Sequence, residues 1–147
     1  MYPDPKIAGF VSDHFMPVRQ HVKEHPEAME RFGANWTPTI MVLDANGKER
    51  HRVEGFLETD ALLAQLKLGL AQSAFANQQW DEAERLFEEA TSSGDPDAAP
   101  EAAYWAGVTR YKRSGDPSAL GATHKRLSRE YGGSTWAKKA SIWGGGP

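Results

Sequence analysis

The sequence predicts an α/β first half and an all-α second half: an incomplete sheet followed by a C-terminal extension of helical hairpins. Three observations predict this. Every run with strand character ends before Gly55. From Thr59 onward apolar residues recur at three- and four-residue spacing, the period of a helix with one buried face. Breakers such as Asn77-Gln78-Gln79, Gly115-Asp116-Pro117 and Gly132-Gly133 cut that second stretch into helix-sized pieces.

In order, Pro3-Asp4-Pro5 opens as a rigid turn, and Lys6–Ser12 is a short helix with Ile7, Phe10 and Val11 on one face. Phe15–Val22 alternates, with Met16, Val18, Gln20 and Val22 to one side, and is expected to be a strand with Pro17 marking an edge. Pro26 starts a helix to about Phe32 because proline suits the first helical turn, and Gly33 ends it. Thr39–Leu43 is almost wholly apolar and is expected to be a strand covered on both faces. Asp44-Ala45-Asn46-Gly47 is a hairpin turn, and Glu49–Val53 returns as a more polar strand nearer an edge.

Thr59 is expected to cap a helix reaching Gln72, with Leu62, Leu63, Leu66 and Leu70 at helical spacing. A helix from Asp81 carries Ala83, Leu86, Phe87 and Ala90, and Ser92–Asp97 is a loop. Pro100 opens the next helix, with Ala103, Tyr104, Ala106, Gly107 and Tyr111 inward. Ala119, Leu120, Leu127 and Tyr131 mark another. Ser134 caps a last short helix holding Trp136, Ala137 and Ala140, and residues 144–147 form a frayed tail.

Trp36-Thr37-Pro38-Thr39 ahead of the apolar strand, Asn46-Gly47 in the hairpin and Gly55 after the last strand together resemble the later part of the thioredoxin fold. The resemblance covers about residues 3–68. It implies a cis bond before Pro38 at the entry to a buried strand. It also implies that Thr37 presents its backbone to an extended peptide, so Trp36, Thr37 and Pro38 are candidate peptide-binding residues. The sequence departs from that family in two ways. The Cys-x-x-Cys segment is absent, and so are the first strand, the first helix and the central second strand, which would lie between Phe15–Val22 and Thr39–Leu43. Two exposed strand edges are the expected result. Direct pairing of these strands, a segment of another chain, or origin as part of a longer protein would each account for the gap.

Residues 64–142 resemble tetratricopeptide-type helical hairpins. Ala71, Ala83, Phe87 and Ala90 fall near the small and aromatic positions of that repeat, and Tyr104-Trp105-Ala106-Gly107 with Tyr111 resembles its first-helix pattern. Leu127, Tyr131, Ser134, Ala137 and Ala140 resemble a variant common in bacterial envelope proteins. The 37 residues from Ala83 to Leu120 are near the usual period of about 34. The resemblance implies a concave partner-binding face with Tyr104 and Tyr111 on it. The expected domains are thioredoxin-like at 1–68 and tetratricopeptide-like at 69–143, with the helix from Thr59 crossing the junction and a tail at 144–147.

Composition narrows the function. The 147 residues contain no cysteine, which excludes thiolate nucleophiles, disulfides and Cys-ligated zinc. A net charge of −3 and scattered lysines and arginines give no stripe for nucleic acid, and no apolar run approaches the roughly 20 residues needed to span a bilayer. His14, His21 and His25 lie close in sequence, but Pro26 and the strand-like stretch keep them off a common helix face, so no metal site and no cofactor is expected. No catalytic residue is assigned. Glu88-Glu89 and Asp81-Glu82 are read as solvated helix faces. The expected role is redox-inactive protein or peptide binding, with a homo-oligomer that completes the sheet as one form. The alternative is part of a thiol–disulfide oxidoreductase, serving cell redox homeostasis, whose cysteine-bearing portion lies outside this chain. The compartment stays open: cytoplasmic for the sequence as it stands, periplasmic if a signal segment precedes it.

Overall fold

A computed structural model describes residues 4–144. Pro3 and residues 145–147, part of the expected opening turn and tail, lie outside the described residues. In chain order the elements are α1 (Pro5–His14), α2 (Pro26–Arg31), β1 (Thr39–Leu43), β2 (Glu49–Glu54), α3 (Thr59–Ala76), α4 (Trp80–Ser92), α5 (Ala98–Ser114), α6 (Ser118–Glu130) and α7 (Thr135–Ala140), with a closing 3-10 turn at Ser141–Trp143. The first half is α/β and the second all-α.

α1 starts where Asp4 accepts a hydrogen bond from the Lys6 amide at 2.8 Å and Pro5 occupies the first turn. It buries Ile7 against Val42, Leu62 and Leu66, with Phe10, Val11, Phe15 and Ile40 packed around them. β1 and β2 form an antiparallel pair with Ile40 opposite Val53 and Val42 opposite His51. The turn between them spans Asp44–Lys48 and is longer than a two-residue hairpin. The Asp44 carboxylate takes the Asn46 and Lys48 amides at 2.9 and 3.0 Å, and Gly47 sits at φ +80°. That positive φ is why glycine follows Asn46. One extra residue on β2 then shifts the register between Val42 and Leu43.

The strand expected at Phe15–Val22 does not form. Residues 15–21 run without a ladder partner, a turn follows at 22–24, and the His25 amide closes on the His21 carbonyl at 2.7 Å. Alternation alone is not a strand; a strand needs a neighbour to take its amides and carbonyls. Here no described strand lies alongside, and Pro17 lacks a donor. Met16 and Val18, expected on one side of that strand, are 92% and 77% exposed. β1 is likewise less covered than expected. Only Val42 of β1 is buried, and Leu43 is 39% exposed, because α1 and α3 cover one face of a two-stranded sheet and, among the described residues, no helix stacks fully on the other.

α3 is apolar nearly all round because it packs on two sides. Leu62 and Leu66 join the cluster beneath the sheet. Ala64, Leu68, Ala71 and Ala74 join a second cluster with Ala83, Leu86, Phe87 and Ala90 of α4 and Ala98, Ala102 and Ala106 of α5. Alanine dominates that cluster, which lets three helices approach closely around Phe87, fully buried. Residue 68 therefore lies mid-helix, in the second cluster. Two glycines mark the tightest approaches: a methyl on Gly69 would overlap Val42, and one on Gly107 would overlap Thr123. α5 begins at Ala98, two residues before Pro100, because the Asp95 carboxylate takes the Ala98 amide at 2.8 Å. Pro100 is tolerated there because first-turn amides have no intrahelical partner. Ser134 caps α7 by accepting from the Ala137 amide at 3.1 Å.

Candidate functional site

The turn that leads into β1 is the first candidate. Trp36, Thr37 and Pro38 are all exposed, Trp36 to 67%, and the Thr37–Pro38 peptide bond is cis. The turn is tethered at both ends. Thr39 Oγ1 donates to the Trp36 carbonyl at 2.6 Å, and the Gly55 amide donates to the Pro38 carbonyl at 2.8 Å. The indole is thus held out on a braced loop rather than folded into the core.

Arg52 on β2 supplies a brace that sequence reasoning missed. Its guanidinium donates to the Phe32 carbonyl, to the Gly33 carbonyl at 3.0 Å and to Met41 Sδ at 3.4 Å. It also pairs with Glu49 at 2.6 Å and Glu54 at 3.6 Å. It thereby takes up carbonyls left free at the end of α2, a role that basic side chains fill at helix C-termini. The hydrogen bond from Arg52 holds the Glu49 carboxyl below its ordinary value, and the same bond holds Arg52 above its own. The i,i+3 spacing of Glu49 and Arg52 was visible in sequence; the reach to α2 was not.

On the helical half, Tyr104 sits in a row of rings. Trp80 meets Phe75 at 5.2 Å between centroids, Phe75 meets Trp105 at 5.4 Å, and Trp105 meets Tyr104 at 5.4 Å. Tyr104 then meets Trp136 at 5.1 Å and stacks on Trp143 at 4.9 Å, with the Lys139 ammonium 4.0 Å above Trp136. All six rings are half-buried. Tyr111, also half-buried, stands two turns further along α5 and joins no ring pair among the described residues. Two shallow hollows on the helical half, one beside Lys67 and Ser92 and one beside Gln78 and Arg113, are lined by neither tyrosine.

Between the halves, His51 Nε2 and Gln65 Oε1 are 2.6 Å apart, joining β2 to α3. Burial raises the Glu101 carboxyl above its ordinary value, with His51 and Lys139 opposing that shift. Glu88 corrects the expectation of a solvated face: it pairs with Arg110 at 2.5 Å and Arg126 at 2.8 Å, while Glu84 pairs with Arg110 at 2.8 Å and Arg113 at 2.6 Å. These pairs cross α4, α5 and α6, so spacing within one helix could not disclose them. The three amino-terminal histidines are each engaged locally. His14 bonds the Phe10 carbonyl at 2.9 Å, His21 accepts from the Lys23 amide at 3.3 Å, and His25 lies 3.2 Å from Glu27. Among the described residues no three His, Cys, Asp or Glu are grouped to hold a metal ion, and no helix is long and apolar enough to cross a membrane.

The family model described as a thioredoxin-like domain matches residues 3–69. Searches of curated proteins and of solved structures return no match. The chain thus joins a thioredoxin-like N-terminal domain to a helical C-terminal part.

Proposed function

We propose that this chain acts by binding a protein or peptide and performs no thiol chemistry of its own. The observation that carries this reading is the braced, exposed Trp36-Thr37-Pro38 turn. A large indole left 67% exposed on a turn whose backbone is tethered by two hydrogen bonds is a ready contact surface. The absence of cysteine leaves no thiolate to attack a disulfide. The helical part resembles tetratricopeptide hairpins in its small-residue packing, and Tyr104 and Tyr111 are its proposed contact residues.

The test is selection from a displayed library of extended peptides, followed by titration of a selected peptide against Trp36→Ala, Thr37→Pro and Tyr104→Ala. A loss of tenfold or more for the Trp36 and Thr37 variants, equal to about 1.4 kcal/mol or more, supports the reading. Unchanged affinity in both removes it. A second reading is favoured by the unfilled sheet: the chain is part of a thiol–disulfide oxidoreductase whose cysteine-bearing portion lies outside these residues. An in-frame Trp-Cys-x-x-Cys encoded shortly upstream would favour that reading, and its lack would count against it.

A further inference from the structure

Among the described residues, one edge of β1 has no ladder partner. The Gly55 amide bonds the Pro38 carbonyl, and the register sets Ile40 opposite Val53 and Val42 opposite His51. In an antiparallel ladder, hydrogen-bonded and non-bonded positions alternate. Pro38, Ile40 and Val42 therefore direct their backbone groups toward β2, and the Asp44 amide continues the series by bonding the Lys48 carbonyl at 2.9 Å. Thr39, Met41 and Leu43 direct theirs away, and no backbone hydrogen bond outside the strand pair takes them up among the described residues.

We infer that β1 pairs antiparallel with β1 of a second copy of this chain, about a two-fold axis at Met41. The three outward-facing residues are spaced evenly on either side of Met41. A two-fold axis there sets Met41 against Met41 and Thr39 against Leu43, and satisfies every outward amide and carbonyl at once. Such self-complementarity is what an isologous contact requires. The charge pattern agrees. β1 carries no charged side chain, and one step further the same register sets Pro38 against Asp44, so no like charges meet. β2, at the other edge, carries Glu49, Arg50, Arg52 and Glu54 and the register shift, the devices that keep an edge from pairing. Ile40 and Val42 lie on the side packed against Ile7 and Leu66, so pairing makes the two copies' apolar layers continuous. Leu43, 39% exposed at the end of the strand, is covered by the same contact.

The chain's lack of cysteine makes the register directly testable. Cα atoms facing each other in a hydrogen-bonded antiparallel pair are about 5.5 Å apart, within disulfide reach. Under mild oxidation Met41→Cys should give a covalent dimer, whereas Thr39→Cys should not and Thr39→Cys combined with Leu43→Cys should. In light scattering the unsubstituted protein should shift from monomer to dimer with concentration. Met41→Pro, which removes one outward amide and no β1–β2 bond, should stay monomeric with an unchanged circular dichroism spectrum. Peptide binding through Trp36 can persist in that variant, so the two readings fail separately. A wild-type monomer at all concentrations overturns the inference, whether the Met41 amide exchanges fast or is protected by another occupant. Equal crosslinking of Thr39→Cys and Met41→Cys overturns the register.

Discussion

Gly107 on α5 lies directly against Thr123 on α6: a single added methyl would fall on the Thr123 side chain. Thr123 cannot swing aside freely, since it is 2% exposed and its hydroxyl donates to the Ala119 carbonyl at 2.7 Å. Gly107→Ala should therefore destabilise the helical half by about 1–3 kcal/mol, the range for overpacking, despite alanine's better helix propensity. The midpoint of urea unfolding measures it, and a stabilised variant would show that the two helices have room to part.

Phe87 tests the alanine-rich cluster from the opposite direction. It is fully buried among Ala71, Ala83 and Ala102, none of which can expand into the space it would leave. Phe87→Ala should cost about 3–5 kcal/mol. Trp36→Ala, at an exposed site, should stay within about 0.5 kcal/mol of the parent. Comparing the two by thermal denaturation separates a packing aromatic from a presented one.

Glu88 holds Arg110 and Arg126 together while remaining 35% exposed. Partial exposure tempers such pairs, so Glu88→Gln should lower stability by about 1 kcal/mol, and 1 M salt should shrink the difference. A salt-independent loss would assign the effect to packing.

Two carboxyls should respond to pH in opposite senses. The Arg52 hydrogen bond lowers the Glu49 carboxyl, so the folded chain favours the ionised form. Its contribution is present above the ordinary carboxylate value near 4.5 and disappears as pH falls through the depressed value. Burial raises Glu101, so the folded chain favours the protonated form. Its ionisation penalty is absent below about 4.5 and grows as pH rises through the elevated value. Glu101→Gln should therefore raise stability at neutral pH and converge with the parent in acid. Denaturant midpoints across pH 3 to 8 would show it; a variant less stable at pH 7 would mean that His51 and Lys139 outweigh burial.

The helices were legible because their signals are local. Pro26 and Ser134 announce helix starts by a fixed φ or by capping, and the stripes at Leu62, Leu66 and Leu70 in α3 and at Ala83, Leu86, Phe87 and Ala90 in α4 repeat at the helical period. Thr39–Leu43 and the Asn46-Gly47 turn were legible for the same reason. Phe15–Val22 was not, because a strand depends on a partner that residues 15–22 cannot specify. At the candidate site, the position of the turn ahead of β1 was legible from its motif, but the 67% exposure of Trp36 was not. The Arg52 brace, the Glu84–Glu88 pairs with α5 and α6, and the ring row from Trp80 to Trp143 join residues distant in sequence. Their side chains carry no marker of where the chain will bring them.

The double-sided packing of α3 limits how the chain could be dissected or grafted. Cutting after residue 68 would split a continuous helix and strip Ala71 and Ala74 from the helical cluster. Transplanting the helical half with α3 intact would carry Leu62 and Leu66 to a new host and leave them facing water. A cut in the short link at residues 55–58 keeps α3 whole but parts Leu62 and Leu66 from Ile7 and Val42, so a swap of either half must treat α3 as belonging to both.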